Sequence, residues 1–126
     1  MSFKTDYARV QGHGAAGEGV GHWWSLRLTS IALIPLTLLF LFPFGNALGG
    51  GYDAIVATYT NWWHALVAAA FIALSCWHLM QGLQVVIEDY VPAKGMRMAC
   101  LLANTLFSWA LGAAGVFAVV TILFSA

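Results

Sequence analysis

Three long apolar stretches occupy most of the chain, and charged residues mark their limits. Asp, Glu, Lys and Arg are absent between Arg27 and Asp53, between Asp53 and Glu88, and after Arg97. Each stretch can supply the roughly 20 apolar residues with which a helix crosses the hydrocarbon core of a bilayer. The runs are continuous rather than alternating, and lipid offers the backbone no hydrogen-bond partner, so helices are favoured over a barrel. The pattern predicts an all-α membrane protein whose three transmembrane helices lie near residues 24–43, 62–88 and 98–124.

The segments outside the apolar stretches are polar or rich in glycine. Residues 1–21 lack the short apolar core of a secretory signal peptide, so we expect a retained tail before one membrane domain, residues 22–126. The motif GHGAAG at residues 12–17 matches the dinucleotide pattern G-x-G-x-x-G. That pattern requires a preceding strand and a later acidic residue, whereas here a membrane span follows. We therefore do not interpret the motif as a dinucleotide site. The loop near residues 44–61 is predicted to contain a short amphipathic piece around Ala54–Thr60.

The composition excludes a soluble domain and a nucleic-acid binder. Hydrophobic residues make up 61% of the chain and charged residues 8%, whereas soluble domains carry about 25% charged residues. The formal net charge is zero, unlike the basic surface that binds nucleic acid. Cys76 and Cys100 lie in apolar stretches and indicate buried thiols rather than a disulfide framework. Small residues at four-residue spacing predict a face where another helix packs closely, namely Ala110, Ala114 and Ala118.

The basic residues all fall on one side of the predicted topology. Lys4, Arg9 and Arg27 precede or begin the first helix, and Lys94 and Arg97 lie between the second and third helices. The loop between the first two helices and the C-terminal end contain no Lys or Arg. The positive-inside rule therefore predicts a multi-pass membrane protein with a cytoplasmic N-terminus, and we expect its membrane to be the bacterial inner membrane.

His78 lies inside the second apolar stretch, where an ionisable residue is a functional candidate by default. A helix turns about 100° per residue, so Gly82, Val85 and Asp89 return to nearly the same face. The missing side chain at Gly82 leaves room beside the imidazole for a flat, bulky group. Haem b is such a group, and a histidine nitrogen ligates its iron. The simpler alternative is a histidine that only donates a hydrogen bond to a neighbouring helix.

Polar residues at the predicted cytoplasmic surface suit a haem and a quinone. Asp89 lies about 16 Å from His78 along the helix axis, and Tyr90 follows it. A tyrosine hydroxyl can hydrogen-bond a quinone carbonyl and a carboxylate can relay protons, although interfacial tyrosines beside solvated acids are common. Arg27 and His22, on the same side, are candidate partners for haem propionates. The alternative for Arg27 is that its side chain only extends to the lipid headgroups.

The segment HLMQGLQVVIEDYV, from His78 to Val91, resembles the small membrane-anchor subunit of succinate dehydrogenase, respiratory complex II. A histidine followed by Asp-Tyr at eleven and twelve positions is that family's pattern. The segment GVGHWWSLRLTSIAL resembles the family's segment in which an arginine stands just before an apolar run that contains Thr or Ser. The resemblance implies an anchor that packs with a second anchor subunit into a haem-binding helical bundle. It implies no catalytic activity for this chain alone.

The resemblance also implies residue roles. His78 would be an axial ligand of the iron of a single haem b, shared with a histidine of the second anchor subunit. Tyr90 would hydrogen-bond ubiquinone, with Asp89 beside it as a proton relay. Arg27 would support the haem propionates or the quinone pocket, and His22 lies one position from where some relatives carry a histidine near the haem edge. The flavin and the iron–sulfur clusters would lie on two partners, a flavoprotein subunit and an iron–sulfur subunit.

Three alternative functions need to be weighed. His64 lies fourteen residues before His78, on roughly the same face, and two histidines at this spacing are typical of di-haem membrane cytochromes. Its position after Trp62 and Trp63, at the outer boundary, offers a simpler explanation. A purely structural anchor without haem is the second alternative. A small transporter is disfavoured because no interrupted helix pair indicates a midplane substrate site. The sequence assigns no role to Glu88.

Overall fold

The computed structural model describes residues 5–7 and 19–125, and the long elements in them are all helices. Helix α1 spans Gly19–Leu48, α2 Gly51–Tyr59, α3 Trp62–Tyr90 and α4 Lys94–Phe124. Three of them are long and apolar enough to cross a membrane: Val20–Leu48, Trp62–Tyr90 and Lys94–Phe124. The prediction of three membrane helices is therefore confirmed, and no strand occurs in the described part of the chain. Most of the predicted tail, with the GHGAAG motif, Lys4 and Arg9, lies outside the described residues.

The helices extend beyond the predicted spans by several residues. Helix α1 begins at Gly19 and continues through Pro35 and Pro43. Proline removes a backbone donor, but helices in membranes tolerate it because neighbouring groups satisfy the freed carbonyl. Helix α4 begins at Lys94, four residues before the predicted start at residue 98. Apolar length defines the part that can lie in lipid, whereas backbone hydrogen bonding continues into the interface.

A short helix fills the loop between α1 and α3, as the sequence predicts. Helix α2 follows a turn in which the Gly50 amide donates to the Ala47 carbonyl, 3.0 Å away. Gly51 has a φ of 73°, in the left-handed region that glycine adopts without steric cost. Asn61 is the N-cap residue of α3. Its side chain accepts a hydrogen bond from the Trp63 amide at 2.9 Å, as is usual for an N-cap asparagine.

Helix α3 lies in the middle, with α1 and α4 against different faces of it. Within the described residues α1 and α4 do not contact each other, and α2 contacts all three long helices at one end. We call the opposite end, where α1 begins, α3 ends and α4 begins, the basic end, because it carries Arg27, Lys94 and Arg97. Large apolar side chains are exposed along every span, because three helices in a layer cannot enclose one another.

Helices α3 and α4 approach each other closely through small residues. A Cβ atom added at Gly112 would lie 3.3 Å from Cβ of Cys76, and one added at Gly115 would lie 2.7 Å from Cγ2 of Ile72. Asn104 and Ser108 are buried on the same face of α4. The predicted alanine face is not the one that packs inside this chain, since all three of its residues are exposed: Ala110, Ala114 and Ala118.

Candidate functional site

The contact between α1 and α3 is polar toward the basic end. Ser25 and Thr29 are one turn apart on α1 and face His78 and Gln81, which are three positions apart on α3. Nε1 of Trp77 donates to Oγ of Ser25 at 3.5 Å, and we call these five residues the polar seam. In lipid, polar side chains face a neighbouring helix because hydrocarbon offers them no partner. The seam therefore fixes which face of α1 lies against α3.

His78 is held by a threonine hydroxyl of the neighbouring helix. Its Nδ1 lies 2.8 Å from Oγ1 of Thr29. The same Oγ1 lies 2.9 Å from the carbonyl oxygen of Ser25 and 3.0 Å from that of Leu26. Carbonyl oxygens only accept, so when the hydroxyl proton is donated to one of them, Oγ1 can accept from Nδ1–H of His78. Nδ1 then carries the ring proton, and Nε2 keeps a free lone pair.

The Nε2 side of the ring is available for a ligand within this chain. No described residue forms a hydrogen bond with Nε2, and the imidazole is only half-buried. At Gly82, one turn along α3, an added Cβ would meet no atom within 4 Å. The structure therefore has open space at Gly82, one turn along α3 from His78. A neutral imidazole with a free Nε2 and a fixed Nδ1 proton is the form in which histidine binds a metal.

Two buried polar atoms toward the basic end have no partner. Gln81 is 7% exposed; its Nε2 donates to Oγ of Ser25 at 2.7 Å, while its Oε1 has no hydrogen-bond partner among the described residues. Nε2 of His22, near the start of α1, is buried and unpaired in the same way. Buried polar atoms without partners are costly. Each of these two atoms is therefore a candidate for one further hydrogen bond.

Arg27 does not face His78. It is exposed and lies two positions from both Ser25 and Thr29, which places it on the opposite face of α1. Its guanidinium carbon lies 5.4 Å from the centroid of the Trp23 ring, a cation–π geometry. The structure thus separates Arg27 from the seam, although both lie at the same end of the molecule.

The acidic and tyrosine residues lie at the end of α3. Tyr90 is 81% exposed, and Asp89 and Glu88 are exposed beside it. Glu88 accepts a hydrogen bond from Nε2 of Gln84 at 2.9 Å, one turn back on the same helix. The residues are available at the surface of this chain, but no contact joins them to His78.

His64 has a structural partner at the other end of the molecule. Its Nδ1 lies 3.1 Å from the carbonyl oxygen of Thr58 and donates to it. This bond ties the start of α3 to α2 and explains a polar ring at this position. The described residues contain no group of three or more His, Cys, Asp or Glu side chains that could hold a metal ion. A haem needs no such group, because the porphyrin supplies the other nitrogens.

Sequence reasoning missed the polar residues that accompany His78 at the α1–α3 contact. Ser25, Thr29 and Gln81 carry the polar seam, yet none was a candidate site residue. Their signal was present: polar side chains four positions apart on one span and three apart on another. Each is unremarkable alone, because a single serine or threonine in a span can bond its own backbone.

Comparison with known proteins decides the family. The sequence profile of the succinate dehydrogenase/fumarate reductase transmembrane subunit matches residues 1–123. The chain belongs to this family. It is 31% identical over 118 residues to the succinate dehydrogenase hydrophobic membrane anchor subunit of Paracoccus denitrificans, covering 94% of this chain and 91% of the relative. The resemblance inferred from the sequence is therefore confirmed.

Further members of the succinate dehydrogenase anchor family agree. The hydrophobic membrane anchor subunit of Rickettsia bellii is 29% identical over 107 residues, covering 84% of this chain and 85% of the relative. The membrane anchor subunit of Reclinomonas americana is 29% identical over 87 residues, covering 67% and 72%. No solved structure matches the chain. The chain is thus a membrane-anchor subunit of the succinate dehydrogenase type, and the geometry of the polar seam is the basis for its finer role.

Proposed function

We propose that this anchor subunit helps bind haem b through His78 and forms part of the ubiquinone-reduction site of a succinate:ubiquinone oxidoreductase. The contact of Nδ1 of His78 with Oγ1 of Thr29, 2.8 Å long, carries the proposal. When Thr29 accepts from Nδ1–H in this contact, Nε2 is an unprotonated nitrogen inside a membrane span. A histidine inside a span is costly and is a functional candidate by default. An unprotonated imidazole nitrogen is a suitable ligand for haem iron.

The surroundings of His78 fit a haem. The ring is fixed on its Nδ1 side, and the open space at Gly82 leaves room along the same face of α3. A bound haem supplies a one-electron carrier, whose potential the protein tunes through its axial ligands and their hydrogen bonds. His78 of this chain would provide one imidazole nitrogen to the haem iron, and a histidine of a second anchor subunit would provide another.

Propionates would account for one of the unpaired atoms toward the basic end. Nε2–H of His22 can donate to a carboxylate, and charge-assisted bonds of this kind are short and strong. Oε1 of Gln81 needs a donor, such as a buried water. Arg27 faces away from the seam, so of its two proposed roles we favour the quinone pocket over the propionates.

The exposed end of α3 suits ubiquinone. Quinone reduction requires two electrons and two protons. The hydroxyl of Tyr90 can donate a hydrogen bond to a quinone carbonyl, and Asp89, exposed to water, can relay protons to it. An 81% exposed tyrosine becomes part of a pocket only when other subunits cover it.

The open architecture requires partners. The exposed apolar side chains of the three spans need lipid or the helices of a second anchor subunit. A flavoprotein subunit and an iron–sulfur subunit would dock at the basic end and deliver electrons from succinate. The positive-inside rule places that end, with Arg27, Lys94 and Arg97, on the cytoplasmic side of a bacterial inner membrane.

A reduced-minus-oxidised spectrum of the purified complex tests the proposal. We expect His78→Ala to lose the low-spin b-type spectrum of the wild type, because the axial nitrogen is gone. His64→Ala is the matched control, since His64 lies on the same helix and its Nδ1 bonds a carbonyl. An unchanged spectrum in His78→Ala would indicate a structural anchor instead. Loss of about half the haem in each histidine variant would favour the di-haem alternative.

A further inference from the structure

The α1–α3 contact assigns a role to a residue that does not touch the iron. We infer that Thr29 is the positioning residue for the haem ligand. Its hydroxyl oxygen accepts the Nδ1 proton of His78 and so sets the tautomer and the plane of the ring. The inference rests on the proposed haem ligation by His78 and adds to it a determinant of the ligand's strength and orientation.

The hydroxyl of Thr29 has acceptors for its own proton within α1. Its oxygen lies within 3.0 Å of two carbonyl oxygens of that helix, and donation to either of them leaves Oγ1 free to accept from the ring. The residue is 8% exposed. An oxygen held in this way presents its lone pairs to α3 in one direction.

A second bond keeps the helices in register without Thr29. One turn along α1, Oγ of Ser25 accepts from Nε2 of Gln81 at 2.7 Å. Further along, the rings of Phe40 and Phe71 stack with centroids 4.5 Å apart. The contact of α1 with α3 therefore has supports on both sides of Thr29. A substitution that removes only the hydroxyl should leave the helix pair assembled.

The expected consequences follow from the chemistry of imidazole. A hydrogen bond from Nδ1–H makes Nε2 more basic, which favours ferric over ferrous iron. Without that bond the ring is free to rotate about its Cβ–Cγ bond, and the ligand is weaker. Partners of metal-bound histidines typically change metal affinity by about 10–100-fold when they are removed.

Three variants of the purified complex test the inference. Thr29→Val keeps the shape and removes the hydroxyl, whereas Thr29→Ser keeps the hydroxyl. Thr37→Val is the matched control, because the Thr37 hydroxyl bonds only the carbonyl of Leu33, on its own helix, at 2.6 Å. The measurements are haem per complex, the low-spin electron paramagnetic resonance spectrum of the ferric haem, and its midpoint potential.

We expect Thr29→Val to bind haem roughly ten-fold or more weakly, with a shifted ferric spectrum and a raised midpoint potential. Thr29→Ser and Thr37→Val should match the wild type in all three measurements. A Thr29→Val complex with wild-type occupancy, spectrum and potential overturns the inference. A shifted spectrum in Thr29→Ser also overturns it, because the oxygen alone should suffice.

Two controls separate this inference from others. If Thr29→Val and Thr29→Ala both fail to assemble while Thr37→Val assembles, Thr29 has a structural role and the inference is overturned. If His78→Ala keeps the wild-type spectrum, the proposed ligation itself is wrong. If His78→Ala loses the spectrum and Thr29→Val keeps it, only the role of Thr29 fails.

Discussion

A close approach of helices α3 and α4 gives a quantitative prediction. Gly115 of α4 lies against Ile72 of α3, and an added Cβ would lie 2.7 Å from Cγ2 of Ile72. An ordinary contact begins at 3.4 Å, so Gly115→Ala must move the two groups apart by about 0.7 Å. Isoleucine is β-branched and cannot rotate its γ carbons away easily. The strain should therefore pass to the helix backbones.

The magnitude follows from two opposing effects. Overpacking of this kind costs about 1–3 kcal/mol, while alanine in a helix interior is favoured over glycine by about 1 kcal/mol. Gly45→Ala on α1 is the matched control, because an added Cβ there meets no atom within 4 Å. It should show the helix benefit alone. Gly115→Ala should therefore be less stable than Gly45→Ala by about 1–3 kcal/mol.

The assay is thermal unfolding of the detergent-solubilised complex. Ile72→Ala removes the γ carbons that clash, so the double variant with Gly115→Ala should be more stable than the two single effects predict. The coupling should be about 0.5–3 kcal/mol. If Gly115→Ala melts at or above the temperature of Gly45→Ala, or if no coupling is seen, the close α3–α4 approach described here is wrong.

Two further predictions concern the ends of the helices. Tyr90→Phe should lower quinone reductase activity about 2–10-fold, the worth of one neutral hydrogen bond, and spare succinate oxidation with an artificial acceptor; equal loss of both would indicate failed assembly. Burial raises the pKa of Tyr59 above 10.0, and its hydroxyl is buried without a partner among the described residues. The stability of the protein should therefore fall as the pH rises from 10.0 through that raised pKa. In thermal melts across this pH range, Tyr59→Phe should lack this fall and should match wild-type stability or exceed it by about 1 kcal/mol. A similar fall in the variant would assign the pH dependence to another group.

The polar seam joins the proposed electron-transfer role to the membrane setting of the chain. In water, Ser25 and Thr29 would gain little by facing another helix, because solvent satisfies a hydroxyl. In hydrocarbon their only partners are protein groups. The same hydrogen bonds of the seam therefore orient α1 against α3 and fix the ring of His78. One contact thus serves both assembly and the proposed ligation.

The sequence by itself determined everything that depends on one helix at a time. Charge-free length predicted three spans, and the helical period placed His78, Gly82 and Asp89 on one face before any contact was known. The loop helix near residues 54–60 was likewise readable from local pattern. These features follow from the rise and turn of a single helix, which do not depend on its neighbours.

Only the tertiary structure decided which faces meet. Thr29 lies 49 residues from His78 in the chain, and no pattern in either span indicates that these two residues are in contact. The alanine face predicted on α4 is exposed, while Gly112 and Gly115 make the close contact with α3. Arg27 shares an end with the seam but faces away from it. Helical periodicity fixes the faces of each helix, whereas the rotation and register of one helix against another depend on the fit of many side chains at once.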